Sequence, residues 1–378
     1  MMTELEQLKE QLMDDVALEP RYLDLNLGRC TIRVLSNSSI LLKRLEQYFS
    51  HIVITEQPEQ PECAEQRDIQ VIAIEKEQVD LSLTFTDWHR EPGKTGRKDS
   101  ICDIAGGRVI KKVRTGMIFL QSEDYRLAVG PCVQNDNQII NFINNQYMTW
   151  LQQRDFLNCH AAALVKNGQA YAVAGFSGGG KSTLMLQMLE NEATHFLSND
   201  RLFITSQETP KITLQEQQVI AAGVAKMPRI NPGTIIHNPR LEKMIPLVER
   251  AQYLLLPPQE LWDMEQKYDV DIDTLYGHNR IKSEAPLKSF LVLNWQRDSS
   301  QALGLKKIKI RERPDLLLAI MKSAGPFFQQ NNGTFSADSY GFDQEAYLDV
   351  LEHVEIFEAT GKVDFKTMAT YYLQQQEI

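Results

Sequence analysis

The chain lacks the features that mark several protein classes. Its five cysteines are dispersed and form no Cys-x-x-Cys pair, which favours reduced thiols over a disulfide framework. No apolar run approaches the roughly 18 residues of a membrane-spanning helix, and the opening MMTELEQLKEQLMDD has no apolar core of a secretory signal. Acidic residues outnumber basic ones, 50 against 40, which argues against a general nucleic-acid-binding surface. We therefore expect a cytoplasmic protein with neither a membrane nor a nucleic-acid partner.

What the chain has is the composition and length of a folded protein with more than one domain. Hydrophobic residues make up 43% of its 378 residues and charged residues 24%, as in ordinary globular proteins. Leucines spaced by three and four residues predict a helix within residues 1–16, and similar patterns predict helices over 39–49 and 138–153. Strand-like runs occur between these helices, at residues 22–27, 30–35, 51–55, 69–74, 81–85, 107–112 and 116–122. The pattern predicts a separate N-terminal α/β domain over residues 1–154.

From Arg154 onward the pattern changes to strand, loop, helix and strand, which predicts a second α/β domain over residues 155–378. A strand at 161–165 should form a hairpin through residues 166–169 with the strand at 171–174. A helix at 183–189 and a strand at 195–197 follow. Further expected elements are strands at 290–293, 307–310 and 354–359, a helix at 315–323 and a C-terminal helix.

The strongest signal is the segment GFSGGGKS, residues 175–182, which matches G-x-x-x-x-G-K-[ST] between a predicted strand and a predicted helix. In such a phosphate-binding loop, or P-loop, backbone amides surround phosphate oxygens and the helix N-terminus adds partial positive charge. Lys181 would reach the β- and γ-phosphates, and the Ser182 hydroxyl would hold Mg²⁺. The residues predicted to bind ATP are Gly175, Ser177, Gly178, Gly179, Gly180, Lys181, Ser182 and Thr183.

Two more residues are candidates for chemistry near this loop. The chain has no LSGGQ or N-K-x-D motif, so neither an ABC-type ATPase nor a GTPase is indicated. Asp200 follows one helix and one short strand after Lys181. We expect it at the carboxyl end of the strand next to the P-loop strand, facing the phosphates, although Ser198-Asn199-Asp200 is also good turn chemistry. The hairpin should bring His160 to the same end, either to orient an acid–base group or as a structural histidine.

The residues from His160 through the P-loop to Asp200 resemble the catalytic domain of bacterial HPr kinase/phosphorylase, and most closely its branch of HPr-kinase-related proteins. IKIRERPDLLLAIMKSA, residues 308–324, resembles the family's strand–Arg–Pro–helix ending more loosely. The resemblance implies a fold shared with phosphoenolpyruvate carboxykinase and phosphate transfer to a serine hydroxyl of a small protein. This chain departs from the family at Asn199, where an aspartate acts as general base, and at Thr183, where a glutamate is frequent. Either Asp200 replaces that base or base catalysis is weak.

A loop rich in proline and glycine, residues 221–241, carries Lys226, Arg229 and Arg240. It is either a lid with cations directed at phosphate or an ordinary surface loop, and the resemblance favours Arg229 as a lid residue.

Together these patterns predict a kinase that uses ATP and Mg²⁺ and transfers the γ-phosphate to a hydroxyl. In this interpretation, Ser182 and Asp200 contact the metal, and Lys181, Asp200 and His160 are the catalytic residues. Two alternatives stay open. One is a small-molecule kinase on the same site; the other is an ATP-binding regulator with little transfer, which Asn199 favours. The acceptor, a homo-oligomeric state and the role of residues 1–154 stay open as well.

Overall fold

The computed structural model describes residues 2–55, 67–89, 96–176, 178–208, 217–264, 266–337 and 341–375. The chain divides into two compact units, one formed by residues 1–154 with 323–341 and the other by residues 155–322 with 342–378. The segment 323–341, which the sequence pattern assigned to the second domain, thus belongs to the first unit. The reason is aromatic packing, because the ring of Phe327 lies 5.5 Å from that of Phe119 and 5.4 Å from that of Phe142.

The first unit is built on one mixed sheet with three helices among the described residues. The helices are α1 (Glu4–Met13), α2 (Ser39–Tyr48) and α3 (Asp136–Gln152). The strands are β1 (Leu23–Asn26), β2 (Thr31–Ser36), β3 (Ile69–Glu75), β4 (Thr86–Asp87), β5 (Asp99–Ile104), β6 (Gly107–Lys112), β7 (Ile118–Ser122) and β8 (Arg126–Gly130). They lie in the order β1-β2-β3-β8-β7-β6-β5-β4, with β3 parallel to both its neighbours and the other pairs antiparallel. The α1 leucines pack against the β6–β8 core.

The expected helices of this unit are confirmed to within a few residues, but some strand expectations are wrong. Residues 51–55 contribute a single bridge at Val53. Residues 81–85 form no strand, because Leu83 bonds back to the Leu81 carbonyl oxygen at 2.7 Å and turns the backbone, while Leu81 is anchored in the core. The strands β5 and β8 were not expected, since β5 is interrupted by polar residues and β8 is short.

The second unit carries the P-loop segment. Its strands are β9 (Leu157–Cys159), β10 (Ala161–Lys166), β11 (Gln169–Gly175), β12 (Thr194–Ser198), β13 (Leu202–Glu208), β14 (Gln217–Gly223), β15 (Arg229–Ile230), β16 (Tyr268–Asp269), β17 (Glu284–Leu293), β18 (Gly304–Ile308) and β19 (Glu355–Thr360). Its helices are α4 (Lys181–Leu189), α5 (Pro232–Ile236), α6 (Leu247–Leu254), α7 (Pro258–Asp263), α8 (Ile272–Tyr276), α9 (Leu317–Ile320), α10 (Gln344–Leu351) and α11 (Phe365–Gln374). The main sheet runs β12-β10-β11-β17-β14-β13-β9, β19 joins β17 and β18, and β15 pairs with β16 separately.

The expected hairpin is confirmed: β10 and β11 pair antiparallel through a turn in which Asn167 and Gly168 have φ values of +51° and +75°. Two successive positive φ values are typical of the tight turns that fit the twist of a hairpin. The expected neighbour of the P-loop strand is wrong, however. The strand β12 pairs with β10 rather than with β11, because β10 and β17 occupy the two edges of β11.

This topology still brings the candidate residues to one edge of the sheet. The strands β11 and β12 both run antiparallel to β10, so their carboxyl ends lie at the edge where β10 begins. The strand β17 is parallel to β11 and ends at the same edge. The helix α4 returns from this edge over the sheet and packs with α11 around Met188 and Tyr372. The edge therefore collects His160, the P-loop and the turn after β12.

The expected helix at 315–323 is shorter in the structure. A 3-10 turn at Pro314–Leu316 leads into α9, and Met321 then pairs with Cys159 as an isolated bridge. The bridge requires extended backbone at Met321, so the helix ends before it. Over the described ranges, no helix has both the length and the apolar character needed to cross a membrane.

Candidate phosphate-binding and acid–base site

The loop between β11 and α4 depends on glycine for its backbone conformation. Gly178 has a φ of +76°, and Gly180, the N-cap of α4, has a φ of +90°. Residues with a Cβ rarely adopt such values. A Cβ on Gly180 would also lie 2.6 Å from the ring of Phe365. The loop residue Ser177, predicted to bind phosphate, lies outside the described residues.

Two side chains that follow β17 donate hydrogen bonds to the backbone of the loop. Trp295 donates its indole N–H to the carbonyl oxygen of Gly179 at 2.9 Å, and Arg297 donates to the carbonyl oxygen of Gly178 at 2.9 Å. These bonds hold the loop in place from the protein side. The sequence pattern did not single out either residue, although both come just after a predicted strand whose carboxyl end should lie near the loop.

The polar side chains at the start of α4 have three different partners. Lys181 Nζ donates to the carbonyl oxygen of Gly175, the first loop residue, at 2.8 Å. The hydroxyl of Ser182 donates to Asn199 Oδ1 at 2.8 Å. The Thr183 hydroxyl lies 2.8 Å from the hydroxyl of Thr234 in α5. Ser182, the expected metal ligand, is therefore next to Asn199 rather than Asp200.

Asp200 instead faces His160, with its Oδ1 3.4 Å from His160 Nε2. Asp200 has a φ of +70°, a left-handed conformation that aspartate tolerates better than most residues. Ser198 fixes this turn, because its hydroxyl donates to the carbonyl oxygen of Arg201 and accepts from the backbone N–H of Val224 at 3.0 Å. The turn thus directs Asn199 and Asp200 to two separate partners.

The protonation states of the pair follow from its surroundings. Burial lowers the pKa of His160 below its ordinary value, and the charges of Lys181 and Lys322 act in the same direction, against the hydrogen bond to Asp200. Burial alone would raise the pKa of Asp200. The hydrogen bond from His160 and the charges of Arg201 and Lys322 outweigh it, so the pKa lies well below its usual range. At neutral pH, Asp200 is thus a carboxylate beside a neutral imidazole.

Asp200 is nevertheless open to solvent. Its side chain keeps 61% of its accessible surface, whereas that of His160 keeps 21%. The carboxylate is therefore partly desolvated by nearby protein and still reachable from solvent. An acceptor group can therefore reach Asp200, while His160 supports it from the protein side.

The loop after β14 contributes one cation near this carboxylate. Burial lowers the pKa of Lys226, and the nearby charge of Asp200 partly opposes that effect. Arg229, the expected lid residue, is instead held across β15 and β16 by Asp269, with Nε 3.1 Å from Oδ1. Arg240 pairs with Glu190 at 2.9 Å. Of the three cations in this loop, Lys226 is thus the one whose pKa responds to the charge of Asp200.

The donor set fits nucleotide phosphates and a hard cation. Phosphates suit a glycine loop at the N-terminus of a nine-residue helix with a lysine in its first turn. Mg²⁺ prefers oxygen ligands and keeps several waters, and Ser182 with Asn199 presents two adjacent neutral oxygens. Within the part of the chain that the structure describes, no cluster of three or more His, Cys, Asp or Glu side chains could hold a metal ion. The Ser182–Asn199 pair itself carries no negative charge.

Comparison with known proteins gives little further information. No family model matches the chain, and no curated protein does. Among solved structures, the chain is similar to the Hpr(Ser) kinase/phosphatase from Coxiella burnetii, with 10% sequence identity and a TM-score of 0.27. The match covers 58% of this chain and 94% of that one.

Proposed function

We propose that the second unit is an ATP-dependent phosphotransferase that requires Mg²⁺ and transfers the γ-phosphate to a hydroxyl acceptor. The observation that carries this proposal is the convergence of two pairs at one sheet edge. The pair Ser182–Asn199 lies at the P-loop, and the pair His160–Asp200 lies beside it. The first pair is suited to binding a metal ion and phosphate, and the second pair is suited to accepting a proton.

In phosphoryl transfer, the protein mainly positions the reactants and neutralises charge. When bound, ATP supplies the transferred group and Mg²⁺ neutralises phosphate charge. Lys181 and the amides at the start of α4 bind the phosphates, and Ser182 and Asn199 hold the metal. Asp200 orients the acceptor hydroxyl and receives its proton, while His160 holds the carboxylate in place. Thr183 supports α4 through Thr234 rather than binding the metal.

The electrostatics around Asp200 support an acceptor with negative charge near its hydroxyl. Lys226, Arg201 and Lys322 all lie close enough to affect the protonation of this site. Cations near a reacting phosphoryl group also stabilise the charge that spreads over its oxygens. A serine in a small acidic protein and a small phosphorylated or carboxylated alcohol both satisfy this requirement, so both acceptor classes belong in the assay.

One observation favours a second function, an ATP-binding regulator with little transfer. Asn199 cannot carry the negative charge that an aspartate would bring to the metal. The neutral pair with Ser182 would therefore bind Mg²⁺ more weakly than a carboxylate. A regulator needs nucleotide binding but no proton acceptor. The two functions therefore differ in their dependence on Asp200.

The test measures ATP binding by calorimetry and γ-phosphate transfer from labelled ATP, with and without Mg²⁺. Lys181→Ala should weaken ATP binding more than tenfold, while Lys306→Ala, at an exposed lysine of the same unit, should leave it unchanged. Asp200→Asn should reduce transfer about 10²-fold while ATP still binds. Asp273→Asn is the matched control for this loss of a carboxylate.

The outcomes separate the proposals. Unchanged ATP affinity in Lys181→Ala would refute the phosphate-binding site. Wild-type rates of transfer in Asp200→Asn would show that Asp200 is not the proton acceptor. Normal ATP binding by the wild type, without transfer to any peptide or small-molecule acceptor, would favour the regulator.

A further inference from the structure

A polar cavity lies in the first unit, and none of its lining residues belongs to the P-loop segment. It has a volume of about 320 Å³, and its walls come from β7, β8, α3 and the segment 323–341. This size is at the lower end of the range for small-molecule sites. The lining is dominated by charged and amide side chains, which differs from a packing defect between apolar side chains.

The cavity walls are fixed by hydrogen bonds among themselves. Gln146 donates to Gln121 at 2.8 Å, and Gln153 donates to the carbonyl oxygen of Gln329 at 2.9 Å. Asn331 in turn donates to the carbonyl oxygen of Gln153 at 2.9 Å. These bonds join α3 to the returning segment and to β7. The amide groups are thus held in position before any ligand arrives.

Arg126, in β8, is the lining residue that most needs a ligand. Its guanidinium is half-buried, and among the described residues it makes no hydrogen bond or ion pair. Burial lowers its pKa, and the charges of Asp124 and Glu123 oppose that effect without contacting it. A half-buried guanidinium without a bonded anion is costly, and its fork of donors matches an oxyanion.

A second guanidinium lies at the same cavity. Arg154 stacks on Trp150, with its Cζ 3.7 Å from the ring centroid, and donates one N–H to the Trp150 carbonyl oxygen at 3.1 Å. Stacking fixes the plane of the Arg154 guanidinium, and its remaining N–H groups can donate to a ligand. Arg154 is exposed, so it lies at the mouth while Arg126 lies deeper.

The acidic members of the lining define the rest of the ligand. Asp68 uses Oδ2 to accept from the backbone N–H and the hydroxyl of Thr31, at 2.8 and 2.7 Å. The carboxylates of Asp68 and Glu123 both line the cavity, so a ligand with donor groups can reach them. Carboxylates at the wall exclude a ligand that is only negative, and they favour one that also carries hydroxyl or ammonium groups.

We infer that this cavity binds a small polar metabolite, with a carboxylate or phosphate held by Arg126 and hydroxyl or ammonium groups that face Asp68 and the amides. The inference is independent of the proposed phosphotransfer, because it uses residues of the first unit alone. It gives that unit a ligand-binding role.

The test uses the full chain and calorimetry with four probes. L-malate, L-glutamate and glycerol 3-phosphate each combine an oxyanion with donors, and glycerol lacks the oxyanion. All titrations are run on Lys181→Ala, so that phosphate binding at the P-loop does not contribute. At least one anionic probe should bind with a Kd of about 1 mM or tighter, and glycerol should not. Comparing the affinities for malate and glutamate with the affinity for glycerol 3-phosphate shows whether the site prefers a carboxylate or a phosphate.

Arg126→Gln in this background should weaken that binding at least tenfold, whereas Arg114→Gln, at an exposed arginine of the same unit, should not. If Arg126→Gln unfolds the unit, Arg154→Gln at the mouth takes its place and should weaken binding at least threefold. The inference is overturned if no anionic probe binds, if glycerol binds equally well, or if binding survives the loss of the guanidinium.

Discussion

Replacing Gly180 by alanine tests whether the P-loop is held in shape by the aromatic pair behind it. At a φ of +90°, an alanine pays a backbone penalty of about 1–2 kcal/mol. Its Cβ would also lie 2.6 and 2.7 Å from two ring atoms of Phe365. Carbon atoms prefer separations of about 3.5–4.0 Å, so the ring must move by roughly 1 Å.

That movement affects Trp295, which binds the loop. The rings of Phe365 and Trp295 pack edge to face, 5.3 Å apart at 87°, and such a pair contributes about 0.5–1.5 kcal/mol. Gly180→Ala should therefore lower the free energy of unfolding by about 1.5–3.5 kcal/mol in total. Gly178→Ala is the matched control, because Gly178 has a φ of +76° but no heavy atom within 4 Å of the added Cβ. It should cost only the backbone penalty.

The assay is urea denaturation of both variants in the wild-type and Phe365→Ala backgrounds. With the ring removed, the difference between Gly180→Ala and Gly178→Ala should disappear. Two results would refute the reasoning. One is an equal cost for the two glycine substitutions in the wild-type background, and the other is a difference that survives Phe365→Ala. Either result would mean that Phe365 does not transmit the change to the loop.

Two further predictions concern the acid–base site. Since the pKa of His160 lies below its ordinary 6.5 in the folded chain, the unfolded chain binds more protons near that pH. The free energy of unfolding should therefore fall as the pH drops from about 7.5 to 5.5, by at most about 1.4 kcal/mol per pH unit. In urea titrations over this range, His160→Gln should reduce the dependence of that free energy on pH. An unchanged dependence would contradict the prediction. Asn199→Asp should place a carboxylate beside Ser182 and lower the Mg²⁺ concentration for half-maximal ATP binding. If calorimetry shows the same dependence of ATP binding on Mg²⁺ in this variant, Asn199 does not contact the metal.

The sequence was sufficient for elements with a strong local signal. The hairpin β10–β11 and the loop before α4 follow from Asn-Gly turn chemistry and from a glycine motif, and both depend on neighbouring residues. The neighbour of β11 could not be obtained in this way, because strand order is decided by pairing across the sheet. That pairing places β10 between β11 and β12.

The same limit applies to the site. His160 and Asp200 could be placed at one edge from topology, but the choice of partners depends on the direction of each side chain in the turn. The left-handed backbone at Asp200 and the Ser198 hydroxyl direct Asn199 to Ser182 and Asp200 to His160. Trp295 lies far from the P-loop in sequence, so no local pattern could reveal its hydrogen bond to Gly179.

The discontinuity of the first unit has a consequence for its synthesis. Arg108, almost fully buried, donates to the carbonyl oxygens of Pro326 and Ser336, and Phe327 completes an aromatic cluster with Phe119 and Phe142. At translation rates of about 5–20 residues per second, the ribosome needs roughly ten seconds or more to reach these residues from position 154. During that time the nascent N-terminal segment has an incomplete core, and the Arg108 guanidinium has Asp103 as a partner but lacks its two carbonyl acceptors. A gene fragment that stops at residue 154 should thus yield aggregation-prone protein, and co-expression of a fragment that includes residues 323–341 should improve its recovery.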